Sequence, residues 1–287
     1  NTSGLLLLAK DPAGAPRLRP RTAHTFGTGQ AIRAAIEAGA RRVHVALGGS
    51  ASSDGGAGIL AALGARLLDA SGRPVPLGNA GLEKLAQADL RGVVPLPSGE
   101  GDGGGLVAWT DVRSPLLGPD GAVAVFGPQK GLIGAEADAA ERALARFAAV
   151  LGGNAEAPGA GAAGGAGFGL AALGAGLRGG AGSVAAVIGL DAALAGSDLV
   201  VTGEGSFDTQ SAQGKVVSLV GQLAAKSGVP AALVAGRIDA PVGGFAGAIA
   251  LTRLAVGGPD AARDPMRDAE ALLREAGAEL ARSCGRS

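Results

Sequence analysis

A single cysteine, Cys284, rules out an internal disulfide and makes a reducing, cytoplasmic setting the default expectation. The two histidines, His24 and His44, have no cysteine or histidine partner at ligand spacing, which argues against a zinc site. Aromatic residues make up only 2%, so any core must be built from Ala, Val, Leu and Ile at close backbone spacing. Charge of one sign is also lacking: 25 Lys and Arg balance 25 Asp and Glu. A neutral chain without a basic stripe is a poor partner for nucleic acid. The cluster Arg17, Arg19 and Arg21 and the pair Arg41-Arg42 read as solvated surface.

Long hydrophobic runs are missing as well. The longest uncharged stretch, Ala157 to Leu177, has the length of a membrane span. Its interior is mostly Gly and Ala, with Pro158 at the start, so it gains little from lipid. Leu5 to Leu8 is too short for a signal peptide and lacks a basic leader. The chain opens on Asn1, carries its only methionine at Met266 and enters an apolar run almost at once. That beginning reads as one from which N-terminal sequence is missing.

What is present suits a globular α/β protein. The 287 residues allow one large domain or two ordinary ones, and 47% are hydrophobic. The 53 glycines follow no G-X-Y period, which excludes a collagen-like fibre, and the apolar content is too high for disorder. Periodicity predicts a helix over Gly29–Ala38, with Ile32, Ala35 and Ile36 on one face, and a buried strand over Val43–Leu47. Gly48–Gly58 reads as a loop entering a helix that ends near Gly64. A hairpin-type turn is expected at Ser71-Gly72, a strand over Leu106–Val112 and a helix over Ala135–Leu151. Gly152–Gly169 is low in complexity and reads as a domain boundary or an active-site loop. Leu199–Thr202, Lys215–Lys226 and Ala231–Ala235 form a βαβ pattern, which requires a parallel sheet. Asp264-Pro265 is expected to open a last helix.

Four constellations can carry chemistry. Gly48–Gly58 follows a strand and opens a helix, where glycines and terminal N–H groups bind anions. Within it Asp54 is either a magnesium ligand or proton acceptor, or the cap of the helix. The second, Thr202–Gln210 with Gly214-Lys215, places Glu204 and Asp208 in a strand-end loop, where ligands gather in open parallel sheets. Lys215 at a helix start opposes the helix dipole, for which a nearby anion is one reason; the alternative is that Glu204 and Asp208 are solvated loop acids and Lys215 points to water. The third, Pro158–Gly165, contains G-x-G-x-x-G, but residues 151–157 supply no strand, so a dinucleotide fingerprint is rejected. A loop over phosphates or a plain linker remains. The fourth pairs Asp111 at a strand end with Lys130 in a Gly/Pro turn; either can reach a site from its loop, but turn chemistry is the preferred reading of both. P-loop, protein-kinase and G-x-S-x-G motifs are absent.

In order along the chain, these segments resemble the bacterial two-domain glycerate kinases. The resemblance rests on Gly48–Ala51 with Asp54–Gly58, Pro115–Pro119, Val125–Gly131, Pro158–Gly165, and Thr202–Gly205 with Asp208, Gln210, Gly214 and Lys215. It implies two α/β domains around a central cleft, one Rossmann- or flavodoxin-like with a parallel sheet and one with a mixed sheet. The boundary is expected near Gly152, giving 1–152 as the mixed-sheet domain and 153–287 as the Rossmann-like region. It also implies ATP-dependent, magnesium-assisted phosphorylation of D-glycerate, toward 2-phosphoglycerate. The alternative is a homologue that binds nucleotide or glycerate without turnover. On this reading Asp208 accepts the substrate proton, Asp54 and Glu204 hold magnesium, and Lys215 is a point charge. Gly49, Ser50, Gly55 and Gly56 cradle phosphate, while Gln210 and Ser50 orient substrate. No nucleic acid or membrane is implied as partner, and a homo-oligomer stays open. Ser52-Ser53 stands where the family usually has Thr-Asn. Family members also carry roughly a hundred further N-terminal residues, within the size range of a domain segment.

Overall fold

The computed structural model describes residues 10–14, 16–97, 105–208, 216–257 and 263–284. The chain divides into two compact units, Asn1–Gly180 and Ala181–Ser287, each α/β as expected. The division falls after Gly180, so the expected boundary at 152/153 lies inside the first unit. Close backbone packing explains why the Gly-rich stretch is not a linker. A Cβ on Gly161 would sit 2.2 Å from the Pro115 carbonyl oxygen, and one on Gly167 2.1 Å from that of Gly159. Only hydrogen fits at such positions.

The first unit contains α1 (Phe26–Glu37), β1 (Val43–Ala46), α2 (Ala57–Leu63), β2 (Arg66–Leu68), β3 (Gln87–Asp89), β4 (Leu106–Trp109), α3 (Ala122–Phe126), α4 (Ala135–Leu151), α5 (Ala162–Ala172) and β5 (Gly176–Arg178). Its main sheet is parallel, in the order β1-β4-β5, with Val43 opposite Leu106 and Val107 opposite Gly176. Among the described residues β2 and β3 form a separate antiparallel pair beside it. β1 was expected to be buried throughout. Among the described strands it lies at the sheet edge, with Val43 and Val45 inward and His44 and Ala46 exposed.

α2 is the pivot of the packing. Ile59 and Leu63 join Ile32, Val45, Leu106 and Leu170 on the sheet side. Leu60 and Ala57 join Leu67, Leu116, Leu144, Phe147 and Phe168 on the other. A helix apolar on both sides has to be an interior one. α1 and α2 can approach because two glycines face each other's backbone. A Cβ on Gly58 would lie 2.4 Å from the Phe26 amide nitrogen, and one on Gly29 2.7 Å from Ile59 Cα. α4 follows its predicted span, burying Ala140, Ala143, Leu144 and Phe147, with Glu136 and Asp138 in the first turn favouring the helix dipole.

The second unit contains α6 (Gly180–Val187), which begins at the junction, then α7 (Leu190–Leu194), β6 (Val200–Phe207), α8 (Val216–Lys226), β7 (Ala231–Ile238), β8 (Gly247–Ala250), α9 (Leu251–Gly257) and α10 (Ala269–Cys284). Its sheet is parallel in the order β6-β7-β8. Along β7 the side chains alternate. Ala231, Leu233 and Ala235 pack with Leu194, Ala224 and Val217. Ala232 turns to Ile249, Leu272, Ala276 and Leu280. The result is a three-layer arrangement around the predicted βαβ unit. β6 was expected to end at Thr202 but runs on to Phe207. Its glycines hide the strand period while allowing the pairing, since a Cβ on Gly203 would lie 2.3 Å from the Val234 carbonyl oxygen. Asp264 does cap, accepting the amide hydrogens of Met266 and Arg267 at 2.8 and 3.0 Å, but the cap closes a turn and α10 starts later, at Ala269. No helix among the described residues is long and apolar enough to cross a membrane.

These contacts set opposite outcomes for two alanine substitutions. Gly58→Ala must force α1 from α2 and should lower the stability of the first unit by about 1–3 kcal/mol in urea unfolding. Gly277→Ala, inside α10 with open space around it, should raise the stability of the second by roughly 0.5–1 kcal/mol.

Candidate functional site

In the first unit the parallel strands β1, β4 and β5 end at Ala46, Trp109 and Arg178. The connections that follow them, 47–56, 110–115 and 179–180, therefore gather at the carboxyl edge of one sheet, where open α/β folds take their ligands. Gly48 and Gly49 are exposed and Ser50 is half-buried, whereas Ser52 through Gly56 are buried. Gly49 takes a left-handed φ of 61°, which turns the chain inward at this point. Ser50 and Ser52 join their hydroxyls at 2.8 Å, and the Ser52 amide donates to Ser50 Oγ at 3.1 Å.

The buried half of the loop is a structural joint. Asp54 is completely buried. Its Oδ2 accepts the Thr25 amide at 2.9 Å, the Thr25 hydroxyl at 2.9 Å and the Gly58 amide at 3.1 Å. Its Oδ1 accepts the Gly56 amide at 3.3 Å. Thr25 Oγ1 in turn accepts the Ile59 amide at 3.1 Å. One carboxylate thus satisfies the open amides at the start of α2 and fixes the residue before α1. Of the two readings of Asp54, the cap is the one the geometry supports. A magnesium ligand or proton acceptor needs access from solvent, and Asp54 has none. Gly55 and Gly56 are corrected too. A Cβ on Gly55 would lie 2.7 Å from Phe147 Cδ1, and one on Gly56 3.2 Å from the Gly169 Cα. Their glycines serve interior packing and do not face a phosphate. Gly49 and Ser50 alone of the expected cradle remain accessible.

Two further side chains hold this loop. Asn79, fully buried, donates from Nδ2 to the carbonyls of Ser53 at 2.9 Å and Ala140 at 3.1 Å. Lys130 lies in the expected Gly/Pro turn, is 3% exposed and donates from Nζ to the Ser52 carbonyl at 2.6 Å. Burial pushes the Lys130 ammonium down from 10.5 to about 8, against the field of Asp54, which acts to raise it. Asn79 carried no sequence signal. Lys130 stood in the Val125–Gly131 segment, but its burial, like that of Thr25, depends on neighbours far away in the chain.

At the end of β4, Asp111 Oδ1 accepts the Gly180 amide at 2.9 Å. In the second unit Glu204 lies within β6 opposite Ala235, not in a loop beyond the strand. Its Oε1 is buried without a hydrogen-bond partner. Asp208 follows directly after β6 and is half-buried. Gln210 and Lys215 lie outside the described residues. Asp54 thus belongs to the first unit, and Glu204 and Asp208 to the second. Magnesium has no access to Asp54 from solvent, while Glu204 keeps an unpartnered oxygen that is itself buried. Among the described residues no three His, Cys, Asp or Glu side chains cluster as a metal site. An open groove of about 710 Å³ runs along α4 between Glu83, Arg142 and Arg146 and includes none of these loop residues.

A family model described as the glycerate kinase family matches residues 1–285. A Bacillus subtilis protein named glycerate kinase is 39% identical over 243 residues, 83% of this chain and 61% of that protein. The Escherichia coli protein named glycerate 2-kinase is 39% identical over 230 residues, 78% of this chain and 59% of that protein. A crystal structure of a Salmonella typhimurium LT2 protein, assigned provisionally as glycerate kinase 2, superposes with a TM-score of 0.71 at 37% identity. That match covers 86% of this chain and 65% of the other. The chain spans about three fifths of the length of the curated relatives it matches.

Two measurements check the joint. Asp54→Ala strands several buried amides and should destabilise the first unit by about 3 kcal/mol or more in urea unfolding. A wild-type unfolding midpoint with loss of magnesium dependence alone would return Asp54 to the ligand role. Lys130 gives up its proton more readily folded than unfolded, so the unfolded chain binds more protons between pH 8 and 10.5. Stability should therefore rise with pH across that window, by on the order of 3 kcal/mol in all, and the rise should vanish in Lys130→Met.

Proposed function

The chain belongs to the glycerate kinase family, and from that premise we propose that it acts in the ATP-dependent phosphorylation of D-glycerate, with the 2-hydroxyl as acceptor. The observation that carries this reading is the accessible Gly48–Ser50 segment at the carboxyl edge of a parallel sheet, in a chain whose relatives are named glycerate kinase. Phosphoryl transfer asks a protein for alignment and charge neutralisation more than for covalent help. Exposed backbone amides and the Ser50 hydroxyl suit the first need, because they can approach phosphate oxygens without a bulky side chain between.

In the proposed reaction the glycerate hydroxyl oxygen bonds to the γ-phosphorus, the bond from that phosphorus to the bridging oxygen breaks, and ADP leaves. Asp208, at the end of β6, accepts the hydroxyl proton. Glu204, with its unpartnered oxygen, is the magnesium-holding carboxylate, directly or through water. Magnesium, when bound, neutralises charge on the phosphate oxygens. Lys215 as a point charge and Gln210 as a substrate-orienting amide are carried by the sequence motif.

ADP release with D-glycerate, followed by phosphorus NMR of the product, tests the proposal on the protein at its full natural length. ATP- and glycerate-dependent formation of 2-phosphoglycerate is expected. Binding of both ligands without ADP release would favour the binding-only alternative. Asp208→Asn should lower kcat by about 10²–10⁴-fold, and near-normal turnover with an unchanged pH profile would exclude Asp208 as the base.

A further inference from the structure

We propose that Lys130 is a positioning residue, an internal clamp that joins the two glycine-rich loops of the first unit and thereby sets the geometry of Ser50. The inference rests on the kinase reading for the use of that loop, but the clamp itself stands on geometry.

Lys130 ends a short turn, Pro128–Lys130, followed by Gly131 in a left-handed conformation. Turn chemistry alone would leave its head in water, since lysine is almost never buried without a partner. Here Nζ points inward to the Ser52 carbonyl at 2.6 Å. The second loop closes over the same spot. A Cβ on Gly164 would lie 2.1 Å from the Ser52 carbonyl oxygen and 2.8 Å from Lys130 Nζ. Gly164 is therefore a glycine because the ammonium and the carbonyl fill the space a methyl would need. The Gly164 carbonyl also accepts the Gly55 amide at 3.0 Å.

The consequence reaches the surface through Ser52. Its carbonyl is clamped, and its amide and hydroxyl both meet Ser50 Oγ. Ala163, next to Gly164, has φ 52°, the sole non-glycine positive φ among the described residues. Such strain persists only where surrounding structure over-determines it. The clamp supplies that constraint. Burial disfavours the charged form of Lys130, so the hydrogen bond to Ser52 is made against a desolvation cost.

The test compares wild type, Lys130→Met, which keeps the stem but removes the charge, and Lys130→Gln, which keeps an N–H donor. Amide exchange at Ser52 and Gly55 should accelerate about tenfold or more in Lys130→Met relative to the amides of α4. The Kd for ATP should rise about tenfold, with Lys130→Gln between the two. Unchanged exchange at Ser52 and Gly55 would overturn the clamp whatever happens to activity. Faster exchange with unchanged ATP affinity would overturn the positioning role. Failure of wild type to bind ATP or D-glycerate would remove the kinase reading and the positioning role with it, while the exchange comparison still decides the clamp. Should Lys130→Met not fold, Gly164→Ala opens the same seam from the other side and is read by the same measurements.

Discussion

A carboxylate sealed from water has to find its hydrogen bonds within the chain, and Asp54 finds four of them. Those four donors come from the residue before α1 and from Gly56 and Gly58 at the start of α2. The carboxylate therefore fixes the start of α2, the approach of α1 and the point where the strand-end loop dives into the core. Without it the buried amides would have no acceptor, and the loop would have no defined depth. The accessible Gly49–Ser50 segment is the outer end of a structure whose inner end is this joint.

Around that joint the chain uses the absence of side chains as a packing device. With few aromatics to fill space, the first unit brings backbones together until carbonyls and Cα atoms touch. Gly29 and Gly58 admit α1 to α2, and Gly164, Gly165 and Gly169 admit the second glycine-rich loop to the first. The two large rings in the core, Phe147 and Phe168, meet edge-on at 5.8 Å. Phe147 also fills the room left by Gly55. Interiors packed in this way yield little, since each contact has a backbone atom on one side.

The acidic groups divide by their surroundings. Asp54 is sealed from solvent among four donors, and its carboxylate serves the fold. Glu204 sits within a strand with one oxygen still to be satisfied, and Asp208 stands at the strand's end. A carboxylate supplied with donors holds structure, and one with an unpartnered oxygen is available to a ligand. That difference underlies the roles proposed for Asp54 and Glu204.

The sequence by itself determined the α/β class, the span of α4, the βαβ order of the second unit and the family, because these depend on local periodicity and on ordered motifs. It also marked the Gly48–Gly58 segment as a strand-to-helix loop. Whether Asp54 faces a metal or a helix end was beyond it, since both uses put an acid before a helix. The burial of Lys130 against Ser52, 78 residues away in the chain, was equally hidden. So was the run of β6 past Thr202, because glycines carry no hydropathy signal. In each case the deciding fact is which distant backbone comes within about 3 Å, the range of a hydrogen bond. Tertiary packing sets that distance, and no local pattern encodes it.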